Sequence, residues 1–165
     1  MAGFTASWVH GNAVVQELTQ IEDGAVLSFV HYGWGTQIRM RPGFSRWFHI
    51  PLPTPVMLDG YRMKLIRAFI HIRHIGAVQF EIRDVHLYDG PHRVAAQSAG
   101  DFTAPPSVSI PDCQVYELFE PRVCAFGAGL SFNLAGIVSF DGLVVDERSN
   151  PWIVVSSAGA DFQIA

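Results

Sequence analysis

Residues 63–73 read MKLIRAFIHIR and residues 78–88 read VQFEIRDVHLY. In the first stretch Ile66, Ala68, Ile70 and Ile72 recur at every second position, with Arg67, Phe69, His71 and Arg73 between them. Side chains alternate across a strand, so this spacing predicts one wholly apolar face and one mixed face. In the second stretch Val78, Phe80 and Ile82 alternate with Gln79, Glu81 and Arg83. The phase then slips, and Val85 and Leu87 become the apolar positions. One extra residue moves every later side chain to the other face, so the slip predicts a β-bulge near Arg83-Asp84. His74-Ile75-Gly76 reads as a hairpin turn, which predicts that the two strands pair directly with each other.

The surrounding sequence repeats this character. Segments 4–10, 13–18, 25–32, 36–41, 114–119, 129–134, 136–140 and 152–157 are short and rich in β-branched and aromatic residues. Residues 25–41 read as a hairpin around Tyr32-Gly33-Trp34-Gly35. Asp-Gly pairs at 23–24, 59–60, 89–90 and 141–142 mark tight turns, at separations too unequal for a repeat. Residues 98–112 form a Pro/Ser-rich connection. No stretch sustains a 3.6-residue period with caps. A chain of 165 residues that is 49% hydrophobic is long and apolar enough for a real core. The expected fold is all-β: one domain over 1–165, a two-sheet antiparallel β-sandwich of jelly-roll-like form.

The segment WFHIPLPTPVMLDG at 47–60 carries Pro51, Pro53 and Pro55 at alternate positions. Proline lacks an amide donor and extends its neighbours, so these residues should run as an edge or a crossover into the Asp59-Gly60 turn. Of Trp47 and Phe48, one should face the core and the other the surface or a partner.

Charge and targeting narrow the classes. The net charge is −4, which argues against nucleic acid as a partner. Residues 39–93 hold nine basic and four acidic residues, a balance of +5, and the remainder holds two and eleven, a balance of −9. Basic middle strands that pair with acidic flanking strands, within the chain or between copies, are the first reading of this, and a basic face for an anionic ligand is the second. No apolar run approaches the ~20 residues of a membrane span. The N-terminus lacks a basic start and an apolar signal core, so the expectation is a cytoplasmic protein without a membrane partner. Cys113 and Cys124 then read as buried free thiols.

WFHIPLPTPV at 47–56, VHLYDGP at 85–91 and SSAGADF at 156–162 together resemble motifs of a bacterial family of small proteins known as a domain of unknown function. The resemblance spans most of the chain. It implies a single compact domain, and it implies no activity and no catalytic residue.

The chemistry-bearing residues point to binding before catalysis. No HxH pair, GxSxG elbow or phosphate loop occurs, and no metal and no cofactor is expected. Asp141, Asp146, Glu147 and Asn150 could form a calcium loop but read as a solvated acidic loop. Ser156, Ser157 and Asp161 read as turn and edge residues. The aromatic-polar residues are more telling, because sugars stack apolar faces on Trp or Tyr and hydrogen-bond to polar neighbours. The candidate ligand-binding residues are Tyr32, Trp34, Trp47, His49, His71, Arg73, His86, Tyr88 and Asp89. The leading expectation is a non-catalytic, lectin-like module for a small ligand, carbohydrate foremost. One alternative is an enzyme with an acid/base pocket built on His49, His71 and His86, acting on a small hydrophobic substrate. Another is a structural or assembly protein, and a homo-oligomer is expected as a partner state in any of the three.

Overall fold

The alternation at 63–73 belongs to a longer strand, Tyr61–Ile75, that crosses the middle of one of two sheets. The computed structural model describes residues 4–18, 24–75, 80–98, 113–136 and 152–165. In chain order the strands are β1 (Thr5–His10), β2 (Val15–Gln16), β3 (Val26–Tyr32), β4 (Gly35–Met40), β5 (Ser45–Pro51), β6 (Met57–Leu58) and β7 (Tyr61–Ile75). They continue with β8 (Phe80–Asp89), β9 (His92–Ser98), β10 (Cys113–Val123), β11 (Ala128–Gly136) and β12 (Trp152–Ile164). A 3-10 turn, Gly11–Ala13, follows β1. No helix among the described residues is long and apolar enough to cross a membrane.

One sheet has the order β10-β7-β12-β4-β3, with β1 also on β12 and β6 on β7. The other has the order β2-β5-β11-β8-β9. All strand pairs are antiparallel. With β1, β2, β3 and β6 set aside, the sheets read β4-β12-β7-β10 and β5-β11-β8-β9. The chain passes between them from β4 to β5 and from β5 to β7. It crosses again from β7 to β8, from β9 to β10, from β10 to β11 and from β11 to β12. This interleaving is the jelly-roll arrangement.

The crossing from β7 to β8 corrects the expected hairpin. β7 pairs with β10 and β12, whereas β8 pairs with β9 and β11. Each strand has one strongly apolar face, and facing each other across the core buries both faces. Lying side by side would leave them needing a further layer. The bulge in β8 is where the phase slip put it. Asp84 pairs with Asn133 and Ile82 with Leu134, so Arg83 is the extra residue. Phe80, Ile82, Val85 and Leu87 consequently all face inward. A second bulge shifts the β7 pattern: Arg67 pairs with Asp161 but Leu65 with Phe162. Ile66 is therefore half-buried, and Met63 and Leu65 take the inner face with Ala68, Ile70 and Ile72.

The proline stretch splits at Pro51. Ser45–Pro51 is a strand between β2 and β11, not an edge. It fits there because the prolines begin only at its last residue. Residues 52–56 then cross to the opposite sheet, as expected of a donor-poor segment. The crossing is stapled to β11: Leu52 N donates to Ala128 O, Ala128 N donates to Thr54 Oγ1, and Thr54 Oγ1 donates to Leu52 O. Phe48 is buried, stacked between Phe29 and Phe132, while Trp47 lies half-buried on the outer face. Asp59 (φ 50°) and Gly60 (φ 83°) form the β6–β7 turn.

Ser156, Ser157 and Asp161 are not turn or edge residues. They lie within β12, which is paired along most of its length on both sides. Its neighbour on one side changes at Ser156, from β4 to β1. A Cβ on Gly11 or on Gly35 would sit 1.9 or 2.3 Å from Val155 O, so these two segments approach β12 there only because both residues are glycine. β9 had no strand signal beyond Val94 and was not expected. The segment 137–140, the calcium-loop residues and 99–112 lie outside the described residues, as does the Cys113 side chain. Cys124 is a buried free thiol whose pKa is raised by burial and by the nearby Asp89.

Candidate functional site

The outer face of the five-stranded sheet gathers four of the expected residues. Direct partners in an antiparallel ladder point to the same face, so the register reads as rows. One row is Trp47, Asn133 and Asp84, extended by Ser98 on β9. The next is His49, Ser131 and His86, flanked by Val15 and Ala96. The third is Pro51, Gly129 and Tyr88. Alternation in β5, β8 and β11 sends Phe48, Leu87, Val85 and Phe132 inward and leaves these residues outward.

The side chains interlock. The Trp47 and His86 rings lie 4.5 Å apart between centroids, tilted by 34°. His86 meets Tyr88 edge-on at 6.2 Å, with Tyr88 OH 3.4 Å from His86 Nδ1. His49 Nδ1 is 2.8 Å from Ser131 Oγ. Ser98 Oγ donates to Asp84 Oδ1. Beside this, His49, Pro51, Tyr88, Pro91, Gly129 and Ser131 line an open, mostly apolar depression of about 470 Å³. Gly129 bears no side chain at its centre, so His49, Pro51 and Tyr88 stand around a shallow floor. Burial and the Arg93 cation hold the His86 pKa below its ordinary value, against the opposing pull of Asp84. This favours the neutral ring, which can both donate and accept.

Asp84, Asn133 and Ser131 are the members that sequence reading missed. Ser131 is 6% and Asn133 9% exposed, and Asn133 Oδ1 has no hydrogen-bond partner among the described residues. A signal was present. In GLSFNL at 129–134 the small or polar Gly129, Ser131 and Asn133 alternate with Leu130, Phe132 and Leu134.

The remaining expected residues lie elsewhere. Asp89 is buried at the end of β8, where its carboxylate accepts hydrogen bonds from the Ala125, Phe126 and Gly127 amides at 2.7–2.9 Å. It fixes that loop and does not face the site. His71 and Arg73 lie on β7, in the opposite sheet. Tyr32 and Trp34 stack at 4.7 Å on the tip of the β3–β4 hairpin, 41% and 50% exposed. His49 and His86 share a row, but His71 is separated from them by the sandwich, so a pocket built on all three does not form. Among the described residues no group of three His, Cys, Asp or Glu side chains is placed to hold a metal.

The model of a family of unknown function, DUF6623, matches residues 4–105. That span includes two of the three resembling motifs, and SSAGADF lies beyond it. No curated protein sequence is significantly similar to the chain. Among solved structures, a mutant of a family 29 carbohydrate-binding module, used to probe ligand recognition, is similar over 98% of this chain and 93% of that one, at 10% identity and a TM-score of 0.37. At that distance the likeness says nothing of the ligand.

Proposed function

The chain belongs to DUF6623, a family of unknown function, and from the outer face of its five-stranded sheet we propose that it is a non-catalytic binding module for carbohydrate. The observation that carries this reading is the ladder register, which puts Trp47, His86 and Tyr88 in three successive rows of one face together with His49, Ser131, Asn133 and Asp84. Rings supply flat apolar surface for the C–H faces of a pyranose. The flanking groups supply donors and acceptors for its hydroxyls.

The enzyme reading is weaker for a physical reason. Ser131 and His49 form a nucleophile-like pair at 2.8 Å. However, β11 is paired on both sides at Ser131, so its neighbouring amides are engaged in the ladder and leave no donors for an oxyanion.

A glycan array followed by calorimetry tests the proposal. Binding of neutral oligosaccharides is expected, weakened about tenfold or more by Trp47→Ala or Tyr88→Ala. No binding across both measurements would remove the sugar reading.

A further inference from the structure

The opposite sheet carries a second aromatic surface. Trp8 on β1 is 42% exposed and stacks on Phe69 of β7 at 5.2 Å and 20°. The two strands are not neighbours; β12 runs between them, and Gly159 is the partner of both Trp8 and Phe69. A Cβ at Gly159 would lie 2.6 Å from Trp8 Cδ2 and 2.8 Å from Cε3. The indole therefore reaches across the strand only because position 159 has no side chain. It lies down against the sheet and does not stand upright from it.

The surroundings are polar and electrically quiet. The adjacent row is His10, Ser157 and His71, and His71 Nδ1 lies 2.6 Å from Ser156 Oγ. On the other side Arg67 lies 5.4 Å from both the Phe4 and Phe69 rings. Its guanidinium is bound by Asp161 at 2.7 Å and by Glu117 at 3.5 Å. Two carboxylates neutralise this cation, so it does not draw an anionic ligand to the Trp8–Phe69 row. A flat exposed indole, an adjacent hydroxyl-imidazole row and a neutralised cation match the requirements of an uncharged pyranose.

We propose that Trp8, backed by the buried Phe69, forms with His10 and Ser157 a second carbohydrate-stacking platform, which makes the protein bivalent, with one site on each outer face of the sandwich. The ligand class rests on the reading given for the first face, but the residues are separate. Bivalency would let one chain bridge two polysaccharide strands and gain avidity on a polymer.

Two-dimensional NMR of the four tryptophan indole N–H groups separates the sites. The probes are β-1,4-linked hexaoses of glucose, mannose and xylose, with calorimetry for stoichiometry. The expected result is a shift of both the Trp8 and the Trp47 resonances and two sites per chain. Trp8→Ala should leave one site and its Trp47 response intact, and should abolish cross-linking of soluble polysaccharide. Trp8→Phe, which keeps a ring over Gly159, guards against a folding defect and should retain the second site with reduced affinity. A shift at Trp47 alone overturns the second platform and leaves the first reading standing. A shift at Trp8 alone overturns the first reading. No shift at either removes both. A dimer that Trp8→Ala dissociates, seen by light scattering, assigns the surface to self-association and also overturns the platform.

Discussion

Asp89 shows how a residue can look like a ligand contact and act as a brace. Burial alone would raise its pKa, but the Gly127, Ala125 and Phe126 amides, helped by His92, outweigh it and hold the carboxyl below its ordinary value. Its stabilising contribution is therefore complete above the normal carboxylate range, from about pH 4 upward, and is lost as pH falls through the lower folded-state value. Asp89→Ala should cost about 3 kcal/mol at pH 7, since three backbone amides lose a charged acceptor. Asp89→Asn should recover part of this, because one side of the amide still accepts. Urea denaturation of both variants from pH 7 down to pH 3 checks the size and the shrinking difference. His86 permits a test of sign. Its NMR titration midpoint should lie below about 6.5, rise in Arg93→Ala and fall further in Asp84→Asn. Neither environment was legible in the sequence: Asp89 looked like a Tyr-Asp turn pair, and its loop partners lie 36 to 38 positions away.

Elements were legible where period and phase spoke for themselves. The β8 bulge followed from four apolar residues that could not share a face without one extra position. Deleting Arg83 should therefore leave Phe80, Ile82, Val85 and Leu87 in strict alternation on one face and keep unfolding cooperative by circular dichroism, whereas inserting one further residue there should turn one of the two apolar pairs to solvent and abolish that cooperativity. The reading of Trp47-Phe48 as one outward and one inward ring was equally local. Phe48→Ala, at the centre of a three-ring stack, should cost about 3–5 kcal/mol in a denaturant titration. Where alternation was weak, local reading failed. VAAQS at 94–98 has little contrast between its faces, and SSAGADF has small residues whose value lies in what crosses them. A strand such as β12 is recognised by its neighbours: Gly159 makes sense only under Trp8, which is 151 positions earlier in the chain.

At the scale of the molecule, the proposed binding behaviour depends on which strands share a sheet. β5, β8 and β11 share one sheet although the starts of successive strands lie 35 and 48 positions apart in the chain. Their adjacency turns Trp47, Ser131, Asn133 and His86 into one surface and leaves His71 on the far side. The sequence by itself determined an all-β chain, its main strands, the faces of β5, β7 and β8 and the tight turns, because alternation and turn chemistry act over a few residues. Only the tertiary structure decided that β7 and β8 cross between sheets, that β12 lies inside its sheet and that the outward residues form two separate faces. The reason is that burial of an apolar face is satisfied by any complementary face, so the partner is chosen by the packing of the whole chain and not by the strand's own pattern.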